Sequence, residues 1–136
     1  FRVARRARPF GKELELTADP LVVRCSHDGY KRLREKTIHT RKWELQRRQL
    51  TVEDTVNVPS SKAQARFYFH PEVELSVDYD RCVALLPGVG EVNLFVEVGI
   101  AWHYVSKWHP EFGKSVQNKC LVVDLVDGKS KICLTW

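Results

Sequence analysis

The feature that most constrains this chain is the period of its apolar residues, which is close to two rather than about 3.6. In "ELELTA" (13–18), Leu14 and Leu16 alternate with Glu13, Glu15 and Thr17. "LVVRC" (21–25) is β-branched and apolar, and "ARFYFH" (65–70) sets Phe67 and Phe69 against Tyr68 and His70. "TIHTRKWELQ" (37–46) alternates differently. His39, Arg41, Trp43 and Leu45 share one face, while Ile38, Thr40, Lys42, Glu44 and Gln46 share the other. Short runs at 73–78, 82–86, 92–98, 100–106, 121–126 and 131–136 continue the series. Their breaks are turn residues: Asp19-Pro20, Asp28-Gly29, Pro59-Ser60, Pro87-Gly88, Phe112-Gly113 and Asp127-Gly128. "KRLREK" (31–36) has helical composition but is too short to stand as a helix alone. Ten short strands at this spacing predict one all-β domain over 1–136, an antiparallel β-sandwich.

A chain of 136 residues can bury a core of its own. No apolar run approaches the roughly 20 residues that cross a bilayer, and no signal-peptide pattern opens the chain. Phe1 at the start and the lack of any Met lead us to expect a piece of a longer protein. The net charge of +5 is unevenly spread. Residues 1–48 hold 14 Lys/Arg against 6 Asp/Glu, and residues 49–136 hold 8 against 11. The basic half reads either as a solvated face or as a surface that draws polyanions. A nucleic-acid surface would interleave aromatics with the cations. "RVARRAR" (2–8) has none, so nucleic acid is not the expected partner, and neither is a membrane.

Chemistry concentrates near "CSHDGY" (25–30). If Asp28-Gly29 forms a two-residue hairpin loop, His27 and Tyr30 face each other across it. His39 and Arg41, two apart, share a face on the next strand. His27, Tyr30, His39 and Arg41 are therefore the candidate residues for the edge of a substrate cleft. No residue is assigned a catalytic role and none a metal. The five histidines lack metal-ligand spacing, and no carboxylate clusters with them in sequence. There is no GxSxG elbow and no GxGxxG loop. Cys25, Cys82, Cys120 and Cys133 show no CxxC and read as small buried residues. The alternative reading is a non-catalytic carbohydrate-binding module, with Trp43, Trp102, Trp108 or Tyr104 stacking on sugars.

"FRVARRARP" (1–9), "SHDGYKRL" (26–33), "HTRKWEL" (39–45), "RFYFHPEVEL" (66–75) and "SKWHPEFG" (106–113) occur in that order along nearly the whole chain. This ordered set resembles the C-terminal β-rich part of heparinase II/III-like proteins, polysaccharide lyases and their relatives. The resemblance implies a parent with a helical toroid followed by stacked antiparallel sheets, of which this chain is the C-terminal fragment. It implies β-elimination of a uronic-acid-containing glycan by Tyr, His and Asn, all placed before this piece. Zinc ligands are implied upstream as well, so no cofactor is expected here. The implied partners are an acidic polysaccharide, reached through the parent enzyme, and the N-terminal helical domain of the same chain. The implied setting is the bacterial periplasm or cell envelope. His27, Tyr30, His39 and Arg41 match positions typical of the family. Tyr68 departs from it, since His is more usual there. The expected job is to complete the sheet stack and wall one side of the glycan cleft, without lyase activity in this fragment alone.

Overall fold

The computed structural model describes residues 6–58, 63–78 and 81–136. Most of "RVARRAR" and the Pro59-Ser60 break lie outside the described residues. Among the described residues there are eleven strands and no helix. They are β1 (Pro9–Glu15), β2 (Leu21–His27), β3 (His39–Gln46), β4 (Gln49–Val56), β5 (Gln64–Tyr68), β6 (Glu74–Asp78), β7 (Arg81–Leu86), β8 (Gly90–Val98), β9 (Ile100–Trp108), β10 (Val116–Asp124) and β11 (Lys129–Thr135).

The strands make two antiparallel sheets. The large one has the order β1-β2-β3-β4-β11-β8-β7-β6, and the small one β5-β10-β9. The last strand, β11, lies between β4 and β8 and joins the two halves of the large sheet. Between the sheets sits a core of Val52, Leu75, Cys82, Ala84, Val92, Leu94, Leu121 and Ile132. Ala65, Val123 and Leu125 form a second cluster beneath the start of β5. All four cysteines are free, and burial pushes the Cys82 thiol up to about 11. Gly99 carries the chain from β8 in one sheet to β9 in the other. Its φ is +116°, and a Cβ there would stand 2.9 Å from the Asp124 carbonyl oxygen, which leaves room for glycine alone.

The all-β sandwich stands as expected, with two differences in its elements. One strand of the large sheet, β4, was not among the ten runs. Gln49↔Gln46 pairing makes its link to β3 a tight turn at Arg47-Arg48, with Arg47 at φ 46°. No Gly, Asn or Pro marks that turn, so the pattern hides it. β10 also begins earlier than expected, with the polar "VQNKC" (116–120) paired to β9.

A third difference concerns the Asp-Gly pairs. Asp127-Gly128 makes a tight hairpin turn, both residues at positive φ and Val126 bridged to Lys129. Asp28-Gly29 does not. His27 pairs with His39, not with Tyr30, and residues 28–38 form a longer connection between β2 and β3. The Asp28 carboxylate is taken by the Arg8 N–H at 2.8 Å, and its carbonyl starts a separate turn at Lys31. Gly29 is needed for close approach instead: a Cβ there would stand 3.0 Å from Ala7 Cβ and 3.2 Å from His27 Nδ1.

Candidate functional site

Three neighbouring strands bring the polar side chains together. On the face turned toward the small sheet, β2 presents Val23, Cys25 and His27, and β3 presents Trp43, Arg41 and His39. β4 presents Val52, Asp54 and Val56 there. Direct cross-strand pairing sets His27 against His39 and Arg41 against Asp54. His39 then lies diagonal to Asp54, within side-chain reach.

These residues form one hydrogen-bonded chain. The Gly29 N–H donates to His27 Nδ1 at 3.2 Å. A neutral His27 therefore carries its proton on Nε2, which donates to His39 Nδ1 at 2.9 Å. His39 in turn carries its proton on Nε2 and donates to Asp54 Oδ1 at 2.6 Å. Arg41 closes the far side with two parallel bonds, Nε to Oδ1 at 2.7 Å and Nη2 to Oδ2 at 2.9 Å. Its guanidinium also lies 6.0 Å from the Trp43 ring centre and 5.4 Å from that of Phe67, so it bridges the two sheets.

Asp54 is 1% exposed. Burial by itself would raise its pKa, but hydrogen bonds from His39 and Arg41, with the Arg41 charge, outweigh it and hold the carboxyl below its ordinary value. The His27 pKa is lowered, first by burial and then by the neighbouring His39. Both effects favour a neutral His27 and an ionised Asp54 at neutral pH. Neither histidine has an uncommitted ring nitrogen. Adding a proton to His27 puts one on Nδ1, opposite the Gly29 N–H, and breaks that bond.

The network floors a cleft of about 630 Å³ between β5 and the 28–38 connection. Tyr30 and Leu33 line it from the connection, Thr37 from its end, and Gln64 and Arg66 from β5. Tyr30 is exposed and its ring sits 5.3 Å from that of His27. All four expected residues thus line one cleft. Tyr30 arrives there by the course of the connection, not by pairing across a turn.

Asp54 is the site residue that the sequence pattern missed, and it corrects the expectation that no carboxylate joins the histidines. Its signal was a lone acid in phase with Leu50, Val52 and Val56 in "QLTVEDTV" (49–56). That signal needs β4 to be recognised as a strand. Among the described residues, no three of His, Cys, Asp and Glu gather as a metal site.

A groove of about 670 Å³ opens on the opposite face of the large sheet, lined by Glu13, Glu15, Asp19, Arg24, Lys42 and Glu44 among others. Its ion pairs, Arg24–Glu13 at 3.1 Å and Lys42–Glu44 at 2.7 Å, are solvated, and no buried charge faces it. We therefore place the site in the cleft floored by Asp54. The candidate sugar-stacking aromatics divide. Trp43 packs against the core, Trp108 sits 5.1 Å from His70, and Trp102 and Tyr104 stand side by side on β9.

The family model described as "Heparinase II/III-like, C-terminal" matches residues 1–136. The chain belongs to that family. No curated protein matches it.

Proposed function

We propose that this heparinase II/III-like C-terminal domain walls one side of a cleft for a uronic-acid-containing glycan, which a lyase carrying it cleaves by β-elimination. In that reaction a base takes the C5 proton, the freed electron pair forms the C4=C5 bond, and the C4–O bond breaks onto a protonated leaving group. The observation that carries the reading is the His27–His39–Asp54–Arg41 chain on the floor of a 630 Å³ cleft. A buried charge with this many partners holds a rigid polar floor, against which a ligand can be oriented.

The roles divide by availability. The Tyr30 phenol is exposed beside His27 and can hydrogen-bond a sugar hydroxyl. Arg66 supplies a cation for a uronate carboxylate. His27 and His39 act as a positioned support, because all four ring nitrogens are already engaged. A support without a free base does not by itself abstract the C5 proton.

The test is a titration of the chain with a uronic-acid disaccharide prepared from alginate, followed through the ring resonances of its histidines and tyrosines. His27 and Tyr30 are expected to shift, and Tyr30→Phe to weaken binding several-fold. Ultraviolet absorbance of a C4=C5 product is expected to stay at the level of a heat-killed control. Resonance shifts confined to residues outside the cleft would refute the reading.

A further inference from the structure

The outward face of the small sheet is built as a layer. Across β5, β10 and β9 its rows are Tyr68, Cys120 and Tyr104, then Arg66, Val122 and Trp102, then Gln64, Asp124 and Ile100. The central strand contributes Cys120 and Val122, yet both are 0% exposed on a face turned away from the core. Among the described residues, Tyr68, Tyr104, Arg66 and Trp102 flank them on the same face.

Hydrogen bonds pin the layer at its edges. Trp102 Nε1 donates to Asp124 Oδ2 at 3.1 Å, Gln64 Nε2 to Asp124 Oδ1 at 2.8 Å, and Arg66 Nη2 to Gln64 Oε1 at 2.8 Å. Hydrogen bonding to Tyr68 raises the pKa of both the Tyr104 phenol and the Arg66 guanidinium. The Trp102 and Tyr104 rings are 5.7 Å apart and 34° from parallel. Tyr68 remains 57% exposed and Trp102 41%. The result is a row of partly exposed aromatic rings, with a carboxylate, an amide and an arginine hydrogen-bonded in sequence beside Trp102.

We propose that this layer is a sugar-stacking platform that takes pyranose rings of an acidic glycan beyond the cleft, an inference that rests on the glycan reading of the cleft. A pyranose chair presents its axial C–H groups on one side and its hydroxyls around its rim. The C–H side matches an aromatic face, and the rim hydroxyls match planar polar side chains set beside it. Arg66 adds charge complementarity to a uronate. Arg66 and Gln64 also line the cleft, so the cleft and the platform share two residues of β5.

The experiment compares alginate-derived oligosaccharides of two and eight uronic-acid residues, binding to the intact chain by calorimetry. The longer one is expected to bind about tenfold tighter. Trp102→Ala is expected to remove that gain and leave the disaccharide unchanged, while Trp102→Phe, which keeps a ring, retains most of it. Circular dichroism and the thermal midpoint establish that each variant is folded. Equal affinity for both lengths, or a full gain in folded Trp102→Ala, would overturn the platform. So would a dimer in sedimentation that Trp102→Ala dissociates, because the face would then serve a second copy of the chain. Disaccharide binding without the length gain removes the platform alone. A Trp102-dependent octasaccharide with no disaccharide binding supports the platform and removes the cleft reading. Binding of neither length removes both.

Discussion

The two faces of the β2–β3–β4 segment use the same pairing chemistry in different surroundings. On the face toward the small sheet, Arg41 holds Asp54, which is almost wholly buried. On the outer face, Arg24 holds Glu13 at 3.1 Å, with side chains 47% and 60% exposed. Both are arginine–carboxylate pairs between adjacent strands. Water screens the outer one, so it contributes about 0–1 kcal/mol. The inner one has lost its water, and removing one partner strands a buried charge at a cost of about 3–5 kcal/mol. Charge pairing by itself therefore says little about stability, and burial decides the size of the effect.

The sharpest way to break this contrast is Arg41→Ala. Urea unfolding should show a loss of about 3–5 kcal/mol. A loss below about 1 kcal/mol would put the inner pair in the same class as the outer one.

Acid should act next most strongly, through Asp54. Its folded pKa is below its ordinary value of 3.8, so the unfolded chain binds the proton first as pH falls. The stabilisation is full above the ordinary carboxylate range and is lost as pH drops through 3.8 toward the folded value. Thermal midpoints measured between pH 6 and pH 2 should fall most steeply at the acid end in the native chain. Asp54→Asn should flatten that part of the curve, and an unchanged slope would contradict the assignment.

A smaller step belongs to His27. Its pKa is lowered from 6.5, so again the unfolded chain takes up the proton first. Stability should decline as pH falls below 6.5, and His27→Gln should remove that step while leaving the Asp54 step in place. Loss of the Gly29 amide's protection from hydrogen exchange over the same pH range would tie the step to the Gly29 bond.

The smallest effect is expected from Glu13→Ala, within about 1 kcal/mol, shrinking further as salt is added. A larger loss would mean that the outer face carries more of the fold than its exposure allows.

Much of the scaffold was legible because strand alternation is local. Leu14 and Leu16, Phe67 and Phe69, and the split faces of "TIHTRKWELQ" announce strands within a few residues. His39 and Arg41 could be placed on one face by counting in twos. The pairing of His27 was not legible in the same way. Asp28-Gly29 and Asp127-Gly128 are the same dipeptide, and only the second makes a hairpin turn. What separates them is a distant contact, the Arg8 amide on the Asp28 carboxylate. β4 was hidden by a turn of two arginines, and Asp54 was hidden with it.

The sequence by itself determined the all-β architecture, the family, and the shared face of His39 and Arg41, because period and ordered motifs are written along the chain. Only the tertiary structure decided the partner of each side chain. Strand register set His27 against His39 and Arg41 against Asp54, and the sheet order set Tyr68 and Tyr104 on either side of Cys120. Register and sheet order depend on residues far apart in the chain, and together they enclose Asp54, with Phe67 of the second sheet 5.4 Å from its partner Arg41. The cost or benefit of each polar group follows from that enclosure, which no local pattern encodes.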